Sequence, residues 1–192
     1  MTIRILLIFM FSFLMNFASM VIAQDSKPRL SLKASVTQRL GVDTDITIDY
    51  SRPGVKGRKI WGGLVPYGMA PANESSNGKP FPWRAGANEN TTIEFNNDIL
   101  IEGQKLSAGK YGIHIIPSEK DWVIIFSMNN SSWGSFSYDR EEDALRITVT
   151  PVTAPQQEWL MFGFEDLAGT SALAYLHWEK LKVPFTIKLA VK

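Results

Sequence analysis

The sequence contains no cysteine and only two histidines in 192 residues. The first absence excludes a disulfide framework, a thiolate metal site and the acylated residue of a bacterial lipoprotein. The second confines histidine chemistry to His114 and His177. An excess of one charge is also missing, since 20 Lys and Arg stand against 19 Asp and Glu. No global field draws the chain to nucleic acid or to an anionic membrane, so any electrostatic function is local. No stretch offers an amphipathic helix of three turns, and nothing repeats at a solenoid or propeller period. Gly57 and Gly62-Gly63 lack phosphate-loop spacing, and there is no HExxH pair. The acidic cluster Asp139, Glu141, Glu142 and Asp143 lacks the alternation and central glycine of a calcium loop. No cofactor is expected.

The one sustained apolar run is at the start. Met1 to Arg4 gives a short positive beginning, Ile5 to Met15 is broken only by Ser12, and Val21-Ile22-Ala23 ends on a small residue before Gln24-Asp25-Ser26-Lys27. This is the layout of a secretory signal peptide over 1–23. A membrane anchor needs about 20 continuous apolar residues, and Ser12, Asn16 and Ser19 interrupt this run. The expected location is extracytoplasmic, periplasmic or secreted, and the lack of cysteine favours a bacterial periplasm. Residues 24–31 read as a linker and 32–192 as a single β domain, with no stable membrane span once the leader is removed.

From Ile46 to Leu189 the dominant period is 2. Ile46-Ile48-Tyr50, Ile93-Phe95, Leu145-Ile147-Val149, Leu160-Phe162-Phe164, Ala172 to Trp178 and Val183 to Leu189 alternate apolar with other residues, while Lys110–Ile116 and Trp122–Phe126 are apolar on both faces. Phe95-Asn96-Asn97-Asp98-Ile99 has the composition of a tight hairpin. About nine to eleven short strands with almost no helix predict an antiparallel β-sandwich, immunoglobulin-like or jelly-roll-like, with a partly closed barrel as the alternative.

One segment, 51–90, does not read as core. It gathers Arg52, Lys56, Arg58 and Arg84 with Trp61, Tyr67 and Trp83 and many glycines and prolines. Long connections of this kind in compact domains are usually functional or disordered, and its polar middle, Pro71 to Pro80, is expected to be mobile. Guanidinium forks suit carboxylate and phosphate, so Arg52, Lys56, Arg58, Arg84 and Asn88 are candidates to converge on an anion. Trp61, Tyr67 and Trp83 offer flat faces for a sugar ring or peptide side chain. The alternative is structural, with the arginines paired to Asp45, Asp49, Glu89 or Glu94.

Tyr50-Ser51-Arg52-Pro53, Val55-Lys56-Gly57-Arg58, Gly63-Leu64-Val65-Pro66-Tyr67-Gly68 and Trp83-Arg84-Ala85-Gly86-Ala87-Asn88-Glu89 together resemble the signature of the domain-of-unknown-function family 2911. Ile101-Glu102-Gly103, Ala108-Gly109-Lys110-Tyr111, Ile116-Pro117, Trp133-Gly134 and Tyr138-Asp139 resemble it as well. The likeness runs from about Leu32 to the C-terminus. It implies a secreted, mostly β domain that usually stands alone, with no settled activity. The spacer Met69 to Pro82 is longer than that pattern leads one to expect.

The function expected from these residues is a non-catalytic binding module for a small anionic or sugar-like ligand, or for a cell-envelope protein. The alternative is an extracytoplasmic hydrolase using His114 with a nearby carboxylate. A metal site would need His114 and His177 to meet beside Glu179 or Asp121, without any recognised ligand spacing.

Overall fold

The computed structural model describes residues 28–190, in which ten strands form two antiparallel sheets. The expected leader over 1–23 lies outside the described residues. The strands are β1 (Leu32–Leu40), β2 (Thr44–Arg52), β3 (Thr91–Phe95), β4 (Ile99–Ile101), β5 (Gln104–Leu106), β6 (Gly109–Ile116), β7 (Trp122–Ser127), β8 (Asp143–Val149), β9 (Val152–Glu165) and β10 (Ser171–Leu189). One sheet has the order β1-β2-β3-β6-β7-β8 and the other β5-β4-β10-β9. The sheets remain separate, so the architecture is a sandwich and the barrel alternative does not form.

Alternation places the apolar rows of both sheets against each other. Ile46, Ile48, Ile93, Ile113, Ile124 and Phe126 from the larger sheet pack with Leu160, Phe162, Ala174, Phe185 and Ile187 from the smaller one. Edge contacts between rings cross the interface, with centroids 5.1 Å apart for Tyr50 and Phe162 and 6.0 Å for Phe126 and Phe185. Such pairs add about 0.5–1.5 kcal/mol beyond the area they bury.

Three local readings need correction. The tight hairpin expected at Phe95–Ile99 is instead a crossing between sheets, since β3 pairs with β2 and β6 whereas β4 pairs with β5 and β10. The polar side chains there act as braces: Asn96 Oδ1 accepts from the Asp45 N–H at 2.9 Å, its Nδ2 donates to the Asp43 carbonyl at 2.7 Å, and Asn97 Nδ2 donates to Thr44 Oγ1 at 3.1 Å. The two strands read at 172–178 and 183–189 are a single bent strand, β10, whose pairing with β9 shifts register around Glu179, where φ is +56°. An extra strand, β1, precedes the first one read from periodicity. It is an edge strand whose Ala34 and Val36 are only partly buried, so its alternation is weak.

Two short 3-10 turns are the only helical pieces among the described residues. One, Glu74–Ser76, lies in the polar spacer and is held by a capping box between Asn73 and Ser76. The other is Arg140–Glu142, at the acidic cluster read as a turn. Among the described residues no helix is long and apolar enough to cross a membrane.

The irregular segment between β2 and β3 links the sheets. At its start the Leu160 N–H donates to the Pro53 carbonyl and the Val55 N–H to the Glu158 carbonyl, which fixes it to β9. At its end Trp83 exchanges hydrogen bonds of 2.9 and 2.8 Å with Ile115 of β6. Lys56 and Arg58 at its start are thereby brought to the same cavity as Arg84 at its end.

Candidate functional site

The local physics of segment 53–90 is set by four tryptophans that meet between the sheets. Trp61 is at the centre, with ring centroids 5.7 Å from Trp83, 4.7 Å from Trp122 and 5.7 Å from Trp178. Trp83 and Trp178 stack, 6.0 Å apart at 17°. Burying this much ring surface anchors the irregular backbone, and the polar residues beside it are left around a cavity.

That cavity has a volume of about 560 Å³ and opens to solvent past Leu30 and Leu64. Lys56, Arg58, Arg84 and Asn88 line it, with Trp83 and Trp178 among its apolar surfaces. Leu30 and Leu64 stand at the rim, 81% and 48% exposed. No Asp or Glu belongs to the lining. Five of the eight candidate residues are thus brought together, counting Trp83.

The other three are elsewhere. Arg52 donates its Nε–H to the Leu160 carbonyl at 2.9 Å, tying β2 to β9. Trp61 is core, 8% exposed, and its indole N–H has no partner among the described residues. Tyr67 is on the surface and lies against Gly62, where a Cβ would come within 2.9 Å of its ring. Of the three rings read as binding faces, Trp61 is consumed by the core, Tyr67 lies on the surface away from the cavity lining, and only Trp83 lines the cavity.

None of the four cations pairs with a carboxylate among the described residues. The acids proposed as their structural partners are engaged otherwise or stand alone: Glu89 pairs with Arg29 at 2.7 Å, Asp45 with Arg39 at 2.6 Å and Glu94 with Lys110 at 3.4 Å. Arg58 closes its own loop by donating to the Gly54 and Val55 carbonyls. Lys56 is exposed, with Nζ 5.5 Å from the centre of the Trp159 ring. Its backbone N–H donates to the Glu158 carboxylate, which faces a neighbouring depression with Glu179.

Arg84 differs from Lys56 and Arg58 in being half-buried. Its guanidinium lies 4.8 Å from the centre of the Phe136 ring and donates from Nη1 to the Asn88 carbonyl at 2.6 Å. Burial pushes its pKa below the ordinary arginine value. Gly134, at φ +72°, leaves the room the guanidinium fills. The backbone following Arg84 is left-handed at Ala85 (φ +53°) and again at Asn88 (φ +61°). For a buried alanine that conformation costs roughly 1–2 kcal/mol, and it is retained because the surroundings over-determine it.

Behind Arg84 lies His114, read as the candidate catalytic base. It is on the outward face of β6, opposite its apolar neighbours, yet it is buried beneath the 128–142 loop. Nδ1 is 2.7 Å from Ser135 Oγ, and the ring makes an edge contact with Tyr138. Burial, reinforced by the charge of Arg84, lowers its pKa from 6.5 to about 4, so it is neutral at pH 7. Among the described residues no carboxylate hydrogen-bonds the ring, as hydrolysis would need: its partner is a buried serine, and neither residue lines the cavity. Asp143 instead accepts from the Tyr138 hydroxyl at 2.8 Å and from Arg146 at 2.8 Å. Burial together with Asp143 pushes the Tyr138 pKa up to about 12. His177 lies in the other sheet, with Nε2 2.9 Å from the Pro155 carbonyl oxygen. The two histidines do not meet, and no cluster of three or more metal-ligating side chains occurs among the described residues.

The residue signature that surrounds this cavity, from Pro53 to Asn88, falls within residues 31–187, which match the family model described as "Protein of unknown function (DUF2911)". The chain belongs to the DUF2911 family. No curated protein and no solved structure matches it. The family match covers every strand except the last residues of β10, so both sheets of this DUF2911 member, and all of the cavity lining but Leu30, lie within the matched stretch.

Sequence reasoning missed Phe136 and Gly134, which seat Arg84, and Trp178, which walls the cavity. Trp178 was legible only as an inward strand residue. A glycine beside a tryptophan in a polar loop gave no sign that an arginine from 50 residues earlier packs on it.

Proposed function

We propose that this DUF2911 protein is a non-catalytic receptor for a small anion, working outside the cytoplasm after removal of residues 1–23. The observation that carries this reading is Arg84: a half-buried cation without a carboxylate partner among the described residues, in a cavity whose lining holds no acid. Removing a charge from water without compensation is costly. A bound anion supplies the missing charge, and Lys56 and Arg58 at the same cavity add attraction at longer range. The apolar run and small-residue junction at Ala23 support the location.

The test is calorimetric titration and thermal unfolding of the exported protein with acetate, inorganic phosphate and larger organic acids. An anion held at 100 times its dissociation constant stabilises the fold by about 2.7 kcal/mol, and Arg84→Ala removes that stabilisation. If no anion binds, or if Arg84→Ala leaves anion binding intact, the reading is wrong.

A further inference from the structure

We infer that the ligand is a monocarboxylate carrying a flat apolar body, its head held by Arg84 and the 86–88 backbone and its body against Trp83, Leu30 and Leu64. This rests on the anion-binding reading and narrows it.

The head group follows from the charges and donors at the site. One half-buried cation lacks a counter-charge, and one negative charge supplies it; Lys56 and Arg58 are exposed to water and need none. Asn88 already occupies one arginine nitrogen, which leaves the rest of a planar fork to face a planar two-oxygen group. Gly86, Ala87 and Asn88 line the same cavity, and among the described residues their backbone N–H groups have no acceptor. Successive N–H groups in a loop with left-handed residues make a concavity for an anion. The strained conformations of Ala85 and Asn88 hold these donors beside Arg84.

The body follows from the walls. Apart from its cations the lining offers only two polar side chains, Ser31 and Asn88, and Asn88 Nδ2 already donates to the Ser31 carbonyl. A sugar needs a partner for each hydroxyl it brings out of water. The cavity instead presents the half-buried ring of Trp83, backed from within the core by Pro53, Val65 and Trp178, with two exposed leucines at its mouth. An aryl group covers those surfaces and leaves no polar atom unpaired.

Titration of the exported protein compares four probes: 3-phenylpropionate, its amide 3-phenylpropionamide, acetate and glucuronate. We expect 3-phenylpropionate to bind at least tenfold more tightly than each of the other three. Arg84→Gln should remove most of the acid's advantage over the amide, leaving only the weaker pull of Lys56 and Arg58, and Leu64→Ser should weaken 3-phenylpropionate severalfold while leaving acetate unchanged. Lys56→Gln, at an exposed position, is the control in which folding is not at stake, and it should weaken 3-phenylpropionate and acetate equally. If glucuronate or acetate binds as tightly as 3-phenylpropionate, the apolar body is wrong and the anion reading stands. Equal binding of acid and amide by the unaltered protein overturns both.

Discussion

The guanidinium of Arg84 fills the space that a side chain at position 134 would need: a Cβ on Gly134 would overlap its Cζ, Nη1 and Nε atoms. The loop after β7 and the segment before β3 are thereby made to fit each other. Gly134→Ala must both adopt a left-handed backbone, at about 1–2 kcal/mol, and displace the arginine. We expect a destabilisation of that order in urea unfolding, with anion-dependent stabilisation lost. A variant that keeps full anion binding would show that Arg84 is not held at the site by Gly134.

Arg84→Ala should change stability by less than about 1 kcal/mol, because the lost ring contact and hydrogen bond are offset by release of a desolvated charge. Urea unfolding measures this. The same variant should raise the His114 pKa above about 4, since the arginine charge is one of the two causes that lower it. Histidine titration by nuclear magnetic resonance reads the direction, and an unchanged value would mean that Arg84 does not act on the ring.

His114 makes stability fall as pH falls. Its pKa is lowered on folding, so between pH 6.5 and about 4 the unfolded chain binds a proton that the folded chain does not. Its contribution is complete above pH 6.5 and declines through that window, by on the order of 3 kcal/mol in all. His114→Gln should flatten this part of the urea-midpoint profile. A slope unaffected by the substitution would assign the acid sensitivity to other groups.

Trp61→Ala should cost about 3–5 kcal/mol, the usual loss for a buried aromatic, because the ring touches three other tryptophans and is 8% exposed. Unfolding of the variant in urea decides whether this ring is core. A loss under about 1 kcal/mol, typical of surface positions, would return it to the candidate ligand residues.

The exported protein should begin at Gln24, as the junction at Ala23 requires. Intact-mass measurement of protein recovered from the cell envelope checks this, and a full-length mass in the membrane fraction would replace export with anchoring.

Alternation alone was enough to read most strands, since a residue's face follows from its parity along a half-buried strand. The same rule fails at Phe95–Ile99, where Asn and Asp suit a hairpin and a braced crossing equally well, and only the partners Asp43, Thr44 and Asp45 decide between them. It also splits β10, because nothing local tells a bulge inside one long strand from a turn between two.

For the candidate site, composition marked the right segment, and five of the eight named residues line the cavity. What the chain determined by itself was an all-β sandwich and a local surplus of cations, both consequences of residue order at short range. Which rings would be exposed, which arginine would be half-buried at the cavity and which histidine would be buried were decided by tertiary structure. Trp61 and Trp83 are equally aromatic in sequence, and only the arrival of Trp122 and Trp178 from other strands buries the first and leaves the second at the cavity wall. Burial and pairing depend on neighbours distant along the chain, and a linear pattern carries no information about those distances.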